Sequence, residues 1–416
     1  MDRIIIQGNR PLSGTVKISG AKNAVLPVMA ATLLTPGEFT IHKVPDLRDT
    51  RTMMKLLNMI GAATTFNNGT LTIDSTAANN PEAPYDLVKT MRASFYVLGP
   101  LISRFGKVNV SLPGGCAWGP RPVDYHLKGL EQLGAKLNLE SGNILAEAEE
   151  LVGTDIYFEF PSVGATGNIA MAAVRAKGIT KLYNCAKEPE ITQLCEFLNN
   201  MGANIKGVGT DTLIIEGVNE LRPADIEIIP DRIEAGTFLI AGALLGEIKV
   251  EDVIPEHLES VINKLRETDC EIKATKDTVS IIPPDNIKPV DMTTAVFPGF
   301  PTDLQAQWVA LMSLANGTSV VTDTVYHDRF SHIPELARLG ANIRVESNTA
   351  FIKGKKSLVA APVMSTDIRA SASLIIAALA AKGKTEISRV YHIDRGYENI
   401  EQKFKHLGAD IYRKSD

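Results

Sequence analysis

The chain has few cysteines, no long apolar run and no excess of positive charge, and each shortage excludes a class of protein. Its four cysteines show no Cys-x-x-Cys pair and no Cys/His cluster with zinc-binding spacing, which excludes a disulfide scaffold and a zinc site. No run of about 18 apolar residues occurs, so we expect no membrane span. Because 43 Lys and Arg stand against 48 Asp and Glu, with no basic run, we expect no nucleic-acid partner.

The remaining composition is that of an ordinary soluble protein. The chain has 416 residues, 44% of them hydrophobic, and a formal net charge of −5. This length predicts two or three domains. The first residues include no apolar core long enough for a signal peptide, and the sparse cysteines suit a reducing compartment, so we expect a cytoplasmic protein.

Two glycine markers recur along the chain with a common period of about 70 residues, which indicates six structural repeats. Glycine suits the left-handed position at the end of a helix, and the alternating apolar residues that follow suit strands. We therefore predict an α/β protein of six strand–helix–strand–helix–strand–strand (βαβαββ) repeats. One marker set is Gly61, Gly134, Gly202, Gly340 and Gly408, with Asp269 in a degenerate copy, and the other is Gly37, Gly106, Gly178, Gly246, Gly317 and Gly383.

The two ends of the chain suggest how the repeats are grouped. The last repeat stops before its second strand, and the N-terminus supplies an unmatched apolar strand beginning at Arg3. We expect residues 1–21 to join the sheet of the last repeat. Three repeats then form a domain over 22–229, and three form a second domain from 1–21 plus 230–416. The chain crosses between them twice, and a cleft between hinged domains is a common ligand site.

Polar residues cluster where the first helix of each repeat is predicted to begin, just before a small apolar stretch. Helix N-termini present free N–H groups and partial positive charge, so with Lys22, Arg92, Arg232 and Arg369 nearby they predict a cleft for a polyanionic ligand. The alternative is that the Ser, Thr and Asp residues only cap helices, and Asp303 and Asp367 fit either role. The six starts are 20–23, 89–94, 162–166, 231–234, 301–303 and 366–369.

One loop, over 112–124, contains Cys116 among glycines and prolines, five residues before Arg121. A thiol beside a cation on a loop can be reactive, although a small residue that fills a turn is the alternative reading. Two further loops, 325–330 and 391–396, repeat a Tyr-His and Asp-Arg motif. That motif either holds each loop by an internal Asp–Arg pair or contacts the ligand.

These motifs resemble those of the UDP-N-acetylglucosamine 1-carboxyvinyltransferases, within the enolpyruvyl transferase family, along essentially the whole chain. The resemblance implies a fold of two inverted α/β barrels with three repeats each, with the active site in the interdomain cleft. The matching segments are 20–24, 91–94, 112–116, 121–124, 162–166, 301–307, 329–336 and 367–370.

The resemblance also implies the reaction, which is transfer of enolpyruvate from phosphoenolpyruvate to the 3′-hydroxyl of UDP-N-acetylglucosamine through a tetrahedral ketal. Cys116 is implied as the acid, as the site of a phospholactoyl adduct and as the target of fosfomycin. Asp303 is implied as a general base, and Lys22, Arg121 and Arg395 as cations around phosphoenolpyruvate. No metal or cofactor is implied. The implied substrate-binding positions also include Asn23, Arg92, Pro122, Val123, Asp124, Tyr125, Ser162, Val163, Gly164, Val325, Arg329, Asp367 and Arg369.

Some residues depart from the family pattern, and three alternative functions stay open. Tyr96, Trp118, Tyr125 and the pair 160–161 differ from common family residues on the uridine side and in the loop. The shikimate sister enzyme, 3-phosphoshikimate 1-carboxyvinyltransferase, is expected to lack the loop cysteine and to carry Ser in place of Asn23. The other two alternatives are an inactive paralogue that binds the nucleotide sugar and a non-enzymatic six-repeat scaffold.

Overall fold

The computed structural model describes residues 2–112 and 123–415, which group into two compact units. The central unit is Gly20–Ile229, and the terminal unit combines the residues up to Ser19 with those from Pro230 onwards. From the sequence we placed these limits at 22–229 and at 1–21 plus 230–416. Among the described residues, no helix is long and apolar enough to cross a membrane.

The helices differ in length and are joined by short connections. The described residues also contain five 3-10 helices, which precede or follow α-helices. They are Thr32–Leu34, Arg92–Val97, Pro255–Leu258, Thr302–Leu304 and Val390–Arg395. The α-helices are α1 (Lys22–Ala31), α2 (Arg48–Ile60), α3 (Tyr85–Val88), α4 (Leu98–Phe105), α5 (Asp124–Gln132), α6 (Val163–Ala173), α7 (Pro189–Asn200), α8 (Arg232–Leu245), α9 (Glu259–Glu267), α10 (Gln305–Met312), α11 (Ile333–Arg338), α12 (Ile368–Ala380) and α13 (Ile400–His406).

The strands are short, as expected where each one spans a single small sheet. They are β1 (Arg3–Gln7), β2 (Gly14–Lys17), β3 (Glu38–His42), β4 (Ala63–Asn67), β5 (Thr70–Asp74), β6 (Glu82–Ala83), β7 (Lys107–Ser111), β8 (Lys136–Glu140), β9 (Asn143–Glu147), β10 (Asp155–Tyr157), β11 (Ile179–Tyr183), β12 (Asn204–Lys206), β13 (Thr212–Glu216), β14 (Ile226–Glu227), β15 (Ile248–Glu251), β16 (Glu271–Ala274), β17 (Thr278–Ile282), β18 (Met292–Thr293), β19 (Thr318–Thr322), β20 (Asn342–Glu346), β21 (Thr349–Lys353), β22 (Val363–Met364), β23 (Lys384–Ser388) and β24 (Asp410–Lys414).

The strands form six four-stranded sheets, so the α/β class and the sixfold repetition are confirmed. In each sheet one short edge strand runs parallel to its neighbour, and the other pairs are antiparallel, as where β6 pairs with β7 and β7 with β9. The central unit contains the sheets β14-β3-β5-β4, β6-β7-β9-β8 and β10-β11-β13-β12. The terminal unit contains β16-β17-β15-β2, β18-β19-β21-β20 and β22-β23-β1-β24.

The N-terminal segment completes two different sheets of the terminal unit. Strand β1 joins the last sheet, with Ile4 opposite Ile387, as predicted. Strand β2 instead lies beside β15 in the fourth sheet, with Val16 beside Val250. The expectation that all of residues 1–21 join the last sheet is therefore wrong. In the central unit the edge strand beside β3 is β14, which comes from the C-terminal end of that unit. In the terminal unit the equivalent edge, beside β15, is filled by β2.

The repeat markers occupy the backbone conformation that glycine tolerates best. All eleven marker glycines have positive φ, for example 105° at Gly61, where α2 ends. In the degenerate fourth repeat the same position is Asp269, whose φ of 68° is left-handed. Aspartate is among the few other residues that adopt this region, which explains why the repeat survives the substitution.

The first helix of most repeats is buried on every side, whereas the second helix is amphipathic. In α8 the residues from Ile233 to Ala243 are all buried. In α2, by contrast, Met53, Leu56, Leu57 and Ile60 face the core at helical spacing, and the opposite face is open. A helix that is buried on all sides can offer polar groups to a ligand only at its ends.

Replacing Ile6 with Ala should destabilise the terminal unit. Ile6 in β1 is fully buried opposite Ile411, so the cavity is expected to cost roughly 2–5 kcal/mol of unfolding free energy. Hydrogen exchange should show faster exchange in β23 and β24. The control is Arg3→Ala on the same strand, which removes an exposed ion pair with Glu386 and should cost less than about 1 kcal/mol. Equal loss of protection in the central unit would contradict the prediction.

Candidate active site

Six helix beginnings carry the polar residues predicted from the sequence, three in each unit. In the central unit they are the starts of α1, of Arg92–Val97 before α4, and of α6, and in the terminal unit they are the starts of α8, of Thr302–Leu304 before α10, and of α12. Cys116, Arg121, Pro122 and Trp118 lie outside the described residues. The central unit holds Lys22, Asn23, Arg92, Val123, Asp124, Tyr125, Ser162, Val163 and Gly164, and the terminal unit holds Asp303, Val325, Arg329, Asp367, Arg369 and Arg395.

Lys22, the first residue of α1, is held by a buried ion pair. Its Nζ lies 2.8 Å from Oδ2 of Asp49, and the two side chains are 11% and 3% exposed. Asp49 lies in the first turn of α2, where any acidic residue is favoured by the helix dipole. Asp49 was therefore not among the residues predicted from the sequence, because nothing local identifies Lys22 as its partner. The pair fixes where the ammonium group of Lys22 can lie.

His126, on α5, is fully buried behind the start of α6. The side-chain amide of Asn168 lies 3.0 Å from Nδ1 of His126, and its oxygen accepts a hydrogen bond from the backbone N–H of Gly99. Burial, helped by the charge of Arg92, lowers the pKa of His126 to about 3. The imidazole is therefore neutral at physiological pH. A side chain at Gly164 would meet Nε2 of His126 at 3.0 Å, which explains glycine there.

The start of α6 is further shaped by a cap and by two tyrosines. Oγ of Ser162 accepts a hydrogen bond from the backbone N–H of Ala165 at 3.3 Å, so Ser162 is the N-cap. The hydroxyl of Tyr96 donates to the carbonyl of Val163 at 3.4 Å. The ring of Tyr125 meets that of Phe158 edge-on, with centroids 6.4 Å apart. Both tyrosines depart from the family pattern, and both pack within the central unit.

In the terminal unit, Asp303 bridges two arginines. Its Oδ1 lies 2.7 Å from Nη2 of Arg329, and its Oδ2 lies 2.8 Å from Nη2 of Arg369. The arginine side chains are 9% and 5% exposed, and that of Asp303 is 24% exposed. Burial alone would raise the pKa of Asp303, but the charges and hydrogen bonds of Arg369 and Arg329 outweigh it and hold the pKa well below its usual range. Asp303 is thus a carboxylate under all physiological conditions.

The structure distinguishes the two aspartates that were ambiguous in the sequence. Asp367 accepts hydrogen bonds from the backbone N–H groups of Arg369 and Ala370 at 2.8 and 3.0 Å, so it caps α12. Asp231 caps α8 in the same way. Asp303 binds guanidinium groups instead, and Pro301 occupies the position before its 3-10 helix.

In both loops, one residue of the repeated Asp-Arg motif pairs with a residue outside its own loop. Arg329 binds Asp303, as described, and Asp394 binds Arg413 through both oxygens at 2.6 and 2.9 Å. Arg395 ends the 3-10 helix Val390–Arg395. The same two-residue motif therefore has different partners in the fifth and sixth repeats.

A buried polar network lies behind Asp303 and was not predicted from the sequence. Nε2 of Gln307 donates to the backbone carbonyl of Asp303 and to the hydroxyl of Tyr397, both at 3.1 Å. The guanidinium carbon of Arg369 lies 5.5 Å from the ring centroid of Tyr397. The available signal was the pair of glutamines, Gln305 and Gln307, at the start of a helix that is otherwise apolar. Over residues 2–112 and 123–415, no group of three or more His, Cys, Asp or Glu residues could hold a metal ion.

Comparison with known proteins gives a family for this arrangement. A family model described as EPSP synthase (3-phosphoshikimate 1-carboxyvinyltransferase) matches residues 6–404. The UDP-N-acetylglucosamine 1-carboxyvinyltransferase of Chlorobium chlorochromatii is 54% identical, over 100% of this chain and 99% of the relative, and that of Desulfosudis oleivorans is 52% identical over 99% of each. This chain belongs to the UDP-N-acetylglucosamine 1-carboxyvinyltransferase family.

Solved structures of enolpyruvyl transferases share the fold. The enolpyruvyl transferase NikO from Streptomyces tendae is 26% identical with a TM-score of 0.90, over 100% of this chain and 99% of that one. An EPSP synthase from Acinetobacter baumannii is 17% identical with a TM-score of 0.76, over all of both chains. The second likeness is one of fold alone.

The buried histidines should make the stability of each unit depend on pH. Burial lowers the pKa of His126 and of His332, in the terminal unit, to about 3, below the usual value of about 6.5. As pH falls through this window, only the unfolded chain takes up the proton, so each unit loses about 1.4 kcal/mol per pH unit from its histidine. Denaturant unfolding between pH 7 and 4, followed by hydrogen exchange, measures the slope.

Two matched variants assign that slope. His126→Gln should flatten the pH dependence of the central unit only, and His332→Gln that of the terminal unit only. Unchanged slopes in both variants would show that neither imidazole is kept neutral by burial.

Proposed function

We propose that this chain transfers the enolpyruvyl group of phosphoenolpyruvate to the 3′-hydroxyl of UDP-N-acetylglucosamine. The products are UDP-N-acetyl-3-O-(1-carboxyvinyl)-α-D-glucosamine and inorganic phosphate. The supporting observation is full-length identity of 50–54% to relatives that carry this activity in their names. The reaction is the first committed step of peptidoglycan synthesis, and we place it in the cytoplasm.

The chemistry requires three proton transfers. The 3′-hydroxyl of the sugar gives up its proton to a base, for which we propose Asp303, and its oxygen attacks C2 of phosphoenolpyruvate while C3 gains a proton, which gives a tetrahedral ketal. The bond from C2 to the phosphate oxygen then breaks, and C3 loses a proton to restore the double bond. We propose Cys116 as the acid that delivers the proton to C3 and as the thiol that can form a phospholactoyl adduct at C2.

Cations must balance the phosphate and carboxylate of phosphoenolpyruvate. We propose Lys22, Arg121 and Arg395 for this role, since ammonium and guanidinium groups bind such anions through charge-assisted hydrogen bonds. The buried ion pair with Asp49 supports this for Lys22, because it holds the ammonium group at a defined position at the start of α1. An incoming phosphate then competes with Asp49 for the same ammonium group.

Asp303 is proposed to receive the 3′-hydroxyl of the sugar. A carboxylate is the form that can accept this hydrogen bond, and the low pKa of Asp303 keeps it in that form. The two arginines also weaken Asp303 as a base, since base strength falls with pKa. Asp303 therefore orients the hydroxyl first and gains basicity when one guanidinium turns towards the substrate.

The remaining predicted residues are proposed to bind the nucleotide sugar. In the central unit these are Asn23, Arg92, Arg121–Tyr125 and Ser162–Gly164, and in the terminal unit they are Val325, Arg329, Asp367 and Arg369. We propose that both groups line one cleft, between two inverted α/β barrels of three βαβαββ repeats each.

The second candidate function is that of the shikimate sister enzyme, whose name the matching family model carries. Asn23 and Cys116 favour the nucleotide sugar, since the sister enzyme is expected to have Ser after the lysine and no loop cysteine. The much lower identity to an EPSP synthase structure, 17%, agrees with this choice. An inactive paralogue would bind UDP-N-acetylglucosamine without releasing phosphate.

Phosphate release distinguishes the three functions. The purified chain should release phosphate from phosphoenolpyruvate when UDP-N-acetylglucosamine is added, with a sugar product heavier by one enolpyruvyl group in mass spectrometry. Shikimate 3-phosphate should give no release. Release with shikimate 3-phosphate alone would identify the sister enzyme, and binding without release would identify the inactive paralogue.

Fosfomycin should add one molecule of reagent to the chain, at Cys116. The other three cysteines are buried, and burial raises the pKa of Cys185 and of Cys195 to about 12 and also raises that of Cys270. Because the thiolate is the nucleophile, these three should not react. Peptide mapping identifies the labelled residue, Cys116→Ala should abolish labelling, and Cys195→Ala is the matched control. A label on Cys195 would refute the assignment.

A further inference from the structure

Asp323, directly after β19, is fully buried and accepts hydrogen bonds on both carboxylate oxygens. Its Oδ1 accepts from the backbone N–H groups of Val325 and Tyr326, at 3.0 and 2.8 Å, and from the hydroxyl of Thr294 at 2.8 Å. Its Oδ2 accepts from the hydroxyl of Thr302 at 2.7 Å. Asp323 was not predicted from the sequence.

The hydroxyl of Thr302 connects Asp323 to Arg329, which in turn binds Asp303. A hydroxyl has one proton, and Thr302 donates it to Asp323. Its lone pairs are therefore left to accept from Nη1 of Arg329 at 3.0 Å. Nη2 of the same guanidinium lies 2.7 Å from Oδ1 of Asp303. The direction of every hydrogen bond from Asp323 to Asp303 is thus determined.

Four of the other five repeats build this corner differently. In these four the residue after the corresponding strand is Lys43, Asn184, Asp252 or Arg389, and each has a left-handed φ between 54° and 59°. Asp323 does not have a positive φ. In the fifth repeat a buried carboxylate therefore stands where these four have a left-handed turn residue.

We propose that Asp323 is a positioning residue for UDP-N-acetylglucosamine. One oxygen fixes the backbone of Val325, and the other fixes Arg329 and, through it, Asp303. Val325 and Asp303 are both proposed to contact the nucleotide sugar, so one buried carboxylate sets the distance between two parts of the same binding site. This inference rests on the proposed function, and it extends that function to a residue that touches no substrate.

Four variants test the proposal with the full-length chain. Asp323→Asn should raise KM for UDP-N-acetylglucosamine about ten- to hundredfold, and KM for phosphoenolpyruvate about twofold at most. Thr302→Val, which removes only the relay hydroxyl, should raise KM for the sugar about tenfold, and Thr302→Ser should restore it. The matched control is Asp291→Asn, since Asp291 accepts the backbone N–H of Val320 at the exposed edge of the same sheet and should leave both KM values unchanged.

Calorimetric titration with UDP-N-acetylglucosamine provides a readout that does not depend on turnover. The affinity should fall in Asp323→Asn and Thr302→Val by the same factors as KM rises. An inactive wild-type chain would refute the proposed function, whereas an active wild type with unchanged sugar binding in Asp323→Asn would overturn this inference alone. Equal increases in KM for both substrates would indicate a purely structural role and also overturn it. If Asp323→Asn does not fold, identical behaviour of Thr302→Val and Thr302→Ser overturns it.

Discussion

The first helix of most repeats is buried on every side, and the placement of the polar residues follows from this constraint. A helix such as α8 or α12 has no exposed face, so a polar residue is tolerated mainly where the helix begins. At that end the free N–H groups need acceptors, and Ser162, Asp231 and Asp367 supply them. Ser162 and Asp367, which we propose to bind the nucleotide sugar, are thus also residues that satisfy these helix ends.

Charged residues near these helix ends must be paired, because an unpaired buried charge is costly. Lys22 has Asp49, Asp303 has two arginines, and Lys403 lies 2.6 Å from Glu234, which is 2% exposed. In each case the partners come from different elements of one unit. Such pairs specify geometry more than they add stability, since removing one partner leaves the other buried and uncompensated.

Much of the fold could be predicted because the repeat is encoded locally. Glycine at a helix end and alternation in the following strand need only neighbouring residues, and Asp269 shows that one substitution does not hide the pattern. The pairing of β2 with β15 could not be predicted, because it depends on which of two equivalent sheet edges is already filled by β14. The site shows the same division. Lys22 and Asp303 stand in recognisable motifs, whereas Asp49, Asp323 and Tyr397 act through partners distant in sequence. Whether an aspartate at a helix start caps it or binds arginine depends on those partners, as Asp303 and Asp367 show.

The pairing of β1 and β2 with strands distant in sequence also sets an order of events during synthesis. Strands β1 and β2 are made before the central unit, whereas their partners β15, β23 and β24 are made after it. The central unit takes all its strands from Gly20–Ile229, so it has everything it needs to fold on the ribosome. Until those partners are made, β1 and β2 have no strand to pair with. The apolar residues Ile4, Ile5 and Ile6 of β1, which are buried in the folded unit, are not yet covered. Strand β24, which is made after all of the other described strands, then pairs with β1.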